Sequence, residues 1–139
     1  MRIDYTYLNE LLQVFLDSKL PTVTWNDFKS QRIEDDHKLV FHIEILEDNN
    51  LIVESLKGSQ LGIHGISNNY MINLTPWRLS SDGHDFASAL DNKEFLMQLK
   101  SELKNAPFKV VFEGGQKLLS HYAKKQLDKL LSEDASTSH

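Results

Sequence analysis

Six histidines, twenty carboxylates and no cysteine set the chemical repertoire of this 139-residue chain. Without a thiol, disulfide staples and thiolate catalysis are both excluded. Metal binding needs imidazoles and carboxylates at ligand spacing, but His37 and His42 are five apart in a helical pattern and point to different faces, and no other pair of histidines has a suitable spacing. The acidic pairs Asp35-Asp36 and Glu47-Asp48 have the chemistry for general acid/base work. Their places at predicted helix ends assign them to capping and solvation instead. No nucleophile elbow, phosphate-binding loop or dinucleotide fingerprint occurs. The expectation is a protein that is not an enzyme and uses no metal or cofactor.

The remaining candidates depend on elements that must position them, and those elements turn on one corner, Arg78-Leu-Ser-Ser-Asp-Gly-His-Asp-Phe86. Tyr70, Ile72 and Leu74 before it alternate at strand period, with Pro76 where an edge or bulge tolerates a missing donor. Beyond it the period becomes helical, and Phe86 and Leu90 share a face. Ser80 can cap this helix through the amide of Asp82 or Gly83. Gly83 in the first turn lowers helix propensity by about 1 kcal/mol against Ala, which implies that a neighbouring backbone or ring approaches closely there.

Taken from the start, Asp4 caps a first helix in which Tyr5, Leu8, Leu12 and Phe15 recur at helical spacing, with Leu11 and Leu16 widening the stripe and an end near Lys19, before Pro21. Val23 and Trp25 alternate as in a short strand, while Thr24 could equally cap a short helix holding Trp25 and Phe28. Asp35 or Asp36 caps a second helix, from Asp36 to about Asp48, which turns Leu39, Val40, Ile43 and Leu46 inward and leaves Phe41 and Ile45 on its back. Asn49-Asn50 closes it, Asn being the usual substitute for Gly in the left-handed closing position. Leu51 to Leu56 reads as a strand, and the glycines from Lys57 to Asn69 as a long loop to an antiparallel partner. Asp91 and Glu94 form a capping box for a helix bearing Phe95, Leu99 and Leu103, stopped by Pro107. A last helix, from about Gly115 to Leu131, carries Leu119, Tyr122, Ala123, Leu127 and Leu130 on one side. The small polar residues that follow read as a disordered tail.

Arg2-Ile-Asp-Tyr5, Phe41-His42-Ile-Glu-Ile-Leu-Glu-Asp-Asn-Asn-Leu-Ile52 and the corner motif with His84 together resemble the bacterial and prophage family called domain of unknown function 2513. The resemblance covers about the first two thirds of the chain and implies a winged-helix-like fold without an assigned activity. The chain departs from the family's usual Gly at Asn50 and usual Thr at Ser80, and both substitutions keep the local chemistry. The predicted fold is α+β and mainly helical: a winged-helix-like domain over residues 1–91 with a small antiparallel sheet, C-terminal helices over 92–131 packed on it, and a tail over 132–139. His42, His84 and Phe86 are expected to be structural, the two rings partly buried and bonded to backbone or to each other.

Two functions follow from that architecture. In a winged helix the helix before the wing enters the DNA major groove. Here its outward residues would be His37, Phe41, Glu44, Ile45 and Asp48, with only Lys38 cationic, a face that repels phosphate. Cations placed to touch a DNA backbone or minor groove are Lys57 and His64 on the wing, Arg78 at the strand end, and Lys117, Lys124 and Lys125 on the last helix. Residues 1–92 hold 7 Lys/Arg against 14 Asp/Glu and residues 93–139 hold 8 against 6, a balance that argues against strong nonspecific nucleic-acid affinity. The first expectation is a DNA-linked regulator with weak, salt-sensitive contacts. The second is a protein-interaction or dimerisation module that uses Phe41 and Ile45. No apolar run reaches the roughly 20 residues that span a bilayer, and the first residues lack the pattern of a secretory signal, so a cytoplasmic setting without a membrane partner is expected.

Overall fold

The computed structural model describes the backbone except at residues 31, 55–62, 67–68, 73–75 and 138–139, and describes no side chain at 34, 63–66, 69–72 or 133–137 either. The chain divides into two compact units, Met1–Ala87 and Ser88–His139.

In the first unit, Asp4 caps helix α1 (Tyr5–Asp17) by accepting the Tyr7 N–H at 3.1 Å, and Tyr5, Leu8, Leu11 and Leu12 are buried. The helix stops two residues short of Lys19 because the Ser18 hydroxyl takes over, accepting the Leu20 N–H at 3.2 Å and donating to the Thr22 carbonyl at 3.4 Å. Both readings of the next stretch are realised. Val23 is extended and exchanges two 2.8 Å backbone bonds with Trp77. Trp25–Asp27 is a 3-10 turn in which the Asp27 carboxylate accepts the Thr24 N–H at 2.7 Å.

Asp36 caps helix α2 (His37–Asp48) through the Leu39 N–H at 3.0 Å, and Leu39, Val40, Ile43 and Leu46 form the buried face, joined by His42. Asn50 closes the helix in the left-handed region at φ 57°. Its N–H donates to the Glu47 carbonyl and that of Leu51 to the Leu46 carbonyl, each at 2.9 Å, the paired bonds of a Schellman ending.

Strand β1 (Ile52–Glu54) pairs antiparallel with β4 (Trp77–Leu79), in the register Ile52↔Leu79, while Leu74 of the predicted strand lies outside the described residues. Tyr70 and Ile72 belong instead to β3 (Asn69–Ile72), which pairs with β2 (Ile63–Ile66) in a separate hairpin inside the excursion. Aromatic packing decides this. Trp77 is fully buried, edge-on to Trp25 at 4.6 Å, stacked on Phe28 at 5.8 Å and 6.4 Å from Phe15, so burial of the largest side chain in the sheet selects 77–79 as the central strand. With Val23 on one side of β4 and β1 on the other, α1 and α2 are joined to a small antiparallel sheet, and the fold is α+β and mainly helical.

Ser80 joins this sheet to helix α3 (Ser81–Leu90). Its hydroxyl accepts the Gly83 N–H at 3.0 Å and donates to the Asn50 carbonyl at 2.7 Å, while its own N–H reaches the Leu51 carbonyl at 2.9 Å. Phe86 is buried as expected. His84 is not: its ring lies on the exposed face of α3, two positions out of phase with Phe86.

In the second unit Asn92, rather than Asp91, caps α4 (Lys93–Ser101) by accepting the Phe95 N–H at 2.9 Å. This helix ends six residues before Pro107, where the N–H groups of Glu102 and Leu103 both turn onto the Gln98 carbonyl. Helix α5 then runs Phe108–Thr137, starting well before Gly115 and continuing past Ser132 into the stretch whose composition reads as a tail. Gly115 is inside it for a packing reason. A Cβ there would come within 3.1 Å of the Ala89 Cβ and 3.6 Å of the Phe95 ring.

Candidate interaction surface

The outward side of α2 follows from its capping and inward stripe. With Leu39, Val40, Ile43 and Leu46 committed to the core, His37, Lys38, Glu44, Glu47 and Asp48 are exposed and Phe41 and Ile45 are half-buried between them. Partial burial, and then the neighbouring carboxylates of Asp48, Glu44 and Glu54, raise the Glu47 carboxyl above its usual value. The one lysine on this helix is turned toward α1. Lys38 Nζ lies 3.1 Å from Asp4 Oδ2 and 4.5 Å over the centre of the Tyr7 ring.

His42 ties the two helices together beneath that ion pair. Its Nδ1 is 2.7 Å from the Lys38 carbonyl, and its Nε2 accepts the Asp4 N–H at 2.9 Å. The carbonyl can only accept, so the hydrogen of the neutral ring sits on Nδ1. Tyr7 and Phe41 meet the ring edge-on at 4.9 and 5.1 Å. Burial lowers the His42 pKa, offset in part by the Lys38 carbonyl bond and the Asp4 charge. The Tyr7 N–H bond holds Asp4 below its usual value despite partial burial, with help from Lys38. Burial, then Asp36 and Glu10, push the Tyr7 phenol up to about 12.

On the other side of Tyr7, an open groove of about 740 Å³ follows α1 toward the Trp25–Asp27 turn. Leu11, Val14 and Phe28 supply its apolar wall, and Glu10, Asp17 and Lys29 stand among its charges. Neither the groove nor the Asp4–His42 bond is legible in the residue pattern, because each joins segments distant in sequence. The signal that was available for His42 is its place four residues after Lys38, beside the buried Ile43.

The remaining predicted residues fall in several places. Arg78 is exposed on β4 opposite Val53, its Nη1 donating to the Leu79 carbonyl at 3.2 Å. Lys117, Lys124 and Lys125 are exposed on α5 in the second unit. Lys57 and the His64 side chain lie outside the described residues. Among the described residues no three His, Asp or Glu side chains converge in a way that could hold a metal ion, and no helix is long and apolar enough to cross a membrane. No protein-family model matches the chain, and no curated protein or solved structure matches it either.

Proposed function

We propose that this chain is a non-catalytic protein-interaction domain on a winged-helix framework, with the outer side of α2 as its contact surface. One observation carries the reading: the helix that would enter a DNA groove presents Glu44, Glu47 and Asp48 around half-buried Phe41 and Ile45, and its only lysine is paired with Asp4. Phosphate is repelled by such a face, whereas an apolar segment flanked by Lys or Arg would bury Phe41 and Ile45 and neutralise the carboxylates. The setting that the family resemblance implies is bacterial or prophage. The test is crosslinking of the full chain in extracts of its host. A defined partner, or a second copy of the chain, should be captured by the wild type and lost from a folded Phe41→Glu/Ile45→Glu variant. Equal capture by both would refute the assignment of the surface.

A DNA-linked regulator is the second reading, favoured by the exposure of Arg78 at the strand leaving the wing and of Lys117, Lys124 and Lys125 on α5. Each phosphate contact adds about −0.9 to the slope of log affinity against log salt. Arg78→Ala should therefore flatten that slope by about one contact and weaken all sequences alike. Absence of binding to any duplex from the host locus at low salt leaves the interaction reading alone.

A further inference from the structure

We propose that Asp4, Tyr7, Lys38 and His42 form an acid-sensitive latch, in which protonation of His42 releases the first turn of α1 from α2 while the rest of the first unit stays folded. The two ring nitrogens face opposite kinds of partner. Nδ1 faces a carbonyl 2.7 Å away and Nε2 faces an N–H 2.9 Å away, so the ring fits only as the neutral Nδ1–H form. An imidazolium carries hydrogen on both nitrogens. Its Nε2–H would point at the Asp4 N–H, donor against donor, and the contact that anchors the start of α1 has to open.

Few other groups can answer the same proton. Facing His42 from the α1 side are the Asp4 carboxylate and the Tyr7 phenol, and from α2 the Lys38 ammonium and the Phe41 ring, which does not titrate. Asp4 stays ionised in mild acid because its Tyr7 N–H bond lowers its pKa, and Tyr7 stays neutral because its own is pushed up to about 12. His42 is thus the first member of the four to gain a proton on acidification if its pKa, lowered by burial, stays above that of Asp4, and its ring geometry makes that gain the one that breaks a bond. Tyr5 and Leu8 within the first turn, and Leu11 and Leu12 beyond it, each at most 5% exposed, keep α1 on the core. Release is therefore confined to the Asp4 end of the first turn and its contacts with α2. Since Tyr7 also borders the groove along α1, opening the latch changes one wall of that groove.

Two-dimensional NMR of the full chain across about pH 7.5 to pH 4.5 tests this. At the upper end the nitrogen shifts of His42 should report Nδ1–H and a bare Nε2. On acidification His42 should titrate with a midpoint below 6.5. The amide signals of Asp4 and Tyr7 should move with the same midpoint, and their exchange protection should fall by up to about tenfold per pH unit. Leu12, Trp25 and Ile43 should not change with them. Asp4→Asn should lower the His42 midpoint and Lys38→Met should raise it, as the loss of a favourable and an unfavourable charge requires. The opposite tautomer, a His42 midpoint at or above 6.5, silent Asp4 and Tyr7 amides, or unfolding of the whole unit at the His42 midpoint would each overturn the latch.

Discussion

Gly83 lies directly against Leu51: a Cβ built on Gly83 would overlap the Leu51 carbonyl oxygen and come within 3.2 Å of Leu79 Cδ2. The glycine in the first turn of α3 is there because the α2–β1 junction passes over it. The same carbonyl accepts the Ser80 N–H at 2.9 Å, so neither backbone can withdraw without breaking the joint.

Gly83→Ala should for this reason destabilise the protein, although Ala is the better helix former by about 1 kcal/mol. Overpacking against a hydrogen-bonded carbonyl is expected to outweigh that gain and leave a net loss of about 1 to 3 kcal/mol. Equilibrium denaturation in urea measures it, and a midpoint at or above the wild type would show that the corner is loose.

Two residues of the same helix should behave oppositely. Phe86, 1% exposed, should cost about 3 to 5 kcal/mol when replaced by Ala. The exposed His84 should change stability by no more than about 0.5 kcal/mol. The pair of midpoints is informative: equal effects would mean that α3 is rotated about its axis.

Acid should weaken the fold in two stages. Burial holds His42 below its usual 6.5, so the unfolded chain takes up its proton first; the stability is whole above 6.5 and falls as pH drops toward the folded value. Asp4 is also depressed, below 3.8, so its contribution is present above 3.8 and is lost as pH falls through its folded pKa. Because the Asp4 side chain is 45% exposed, solvent screens that second contribution and it should be the smaller. Denaturation midpoints of wild type and Asp4→Asn should converge as pH falls below 3.8; a gap that stays constant on acidification would show that Asp4 contributes nothing.

Truncation after Leu131 removes the last turns of α5. Far-ultraviolet circular dichroism should lose helical signal, because the helix runs to Thr137. The denaturation midpoint should stay within about 0.5 kcal/mol, since Leu127, Leu130 and Leu131 just before the cut are themselves more than half exposed. A large drop in midpoint would reveal contacts made by the removed residues.

Local chemistry was readable from the residues alone. Asp4 and Ser80 cap the helices their positions predict, Asp36 is the one of the Asp35-Asp36 pair that caps α2, Asn50 takes the left-handed turn, and the inward stripes of α1 and α2 are apolar residues at helical spacing, with Leu16 the exception, exposed on α1. These features depend on bonds within three or four residues, where sequence distance and spatial distance coincide. Gly83 was legible for a related reason, since a glycine in a helix's first turn is disfavoured unless something stands over it.

Tertiary structure decided what spacing cannot encode. Pairing with β1 went to Trp77–Leu79 rather than to Tyr70 and Ile72, and Trp77 there completes an aromatic cluster with Trp25, Phe28 and Phe15, drawn from three separate segments. α5 runs through Gly114 and Gly115, and at Gly115 the close approach of Ala89 accounts for the glycine. His42 and His84 look alike in the chain, yet one is sealed between Asp4 and Lys38 and the other faces outward. Their difference lies in the identity of the backbone that arrives from 38 residues away, and burial and partner geometry, not residue type, determine what an imidazole does.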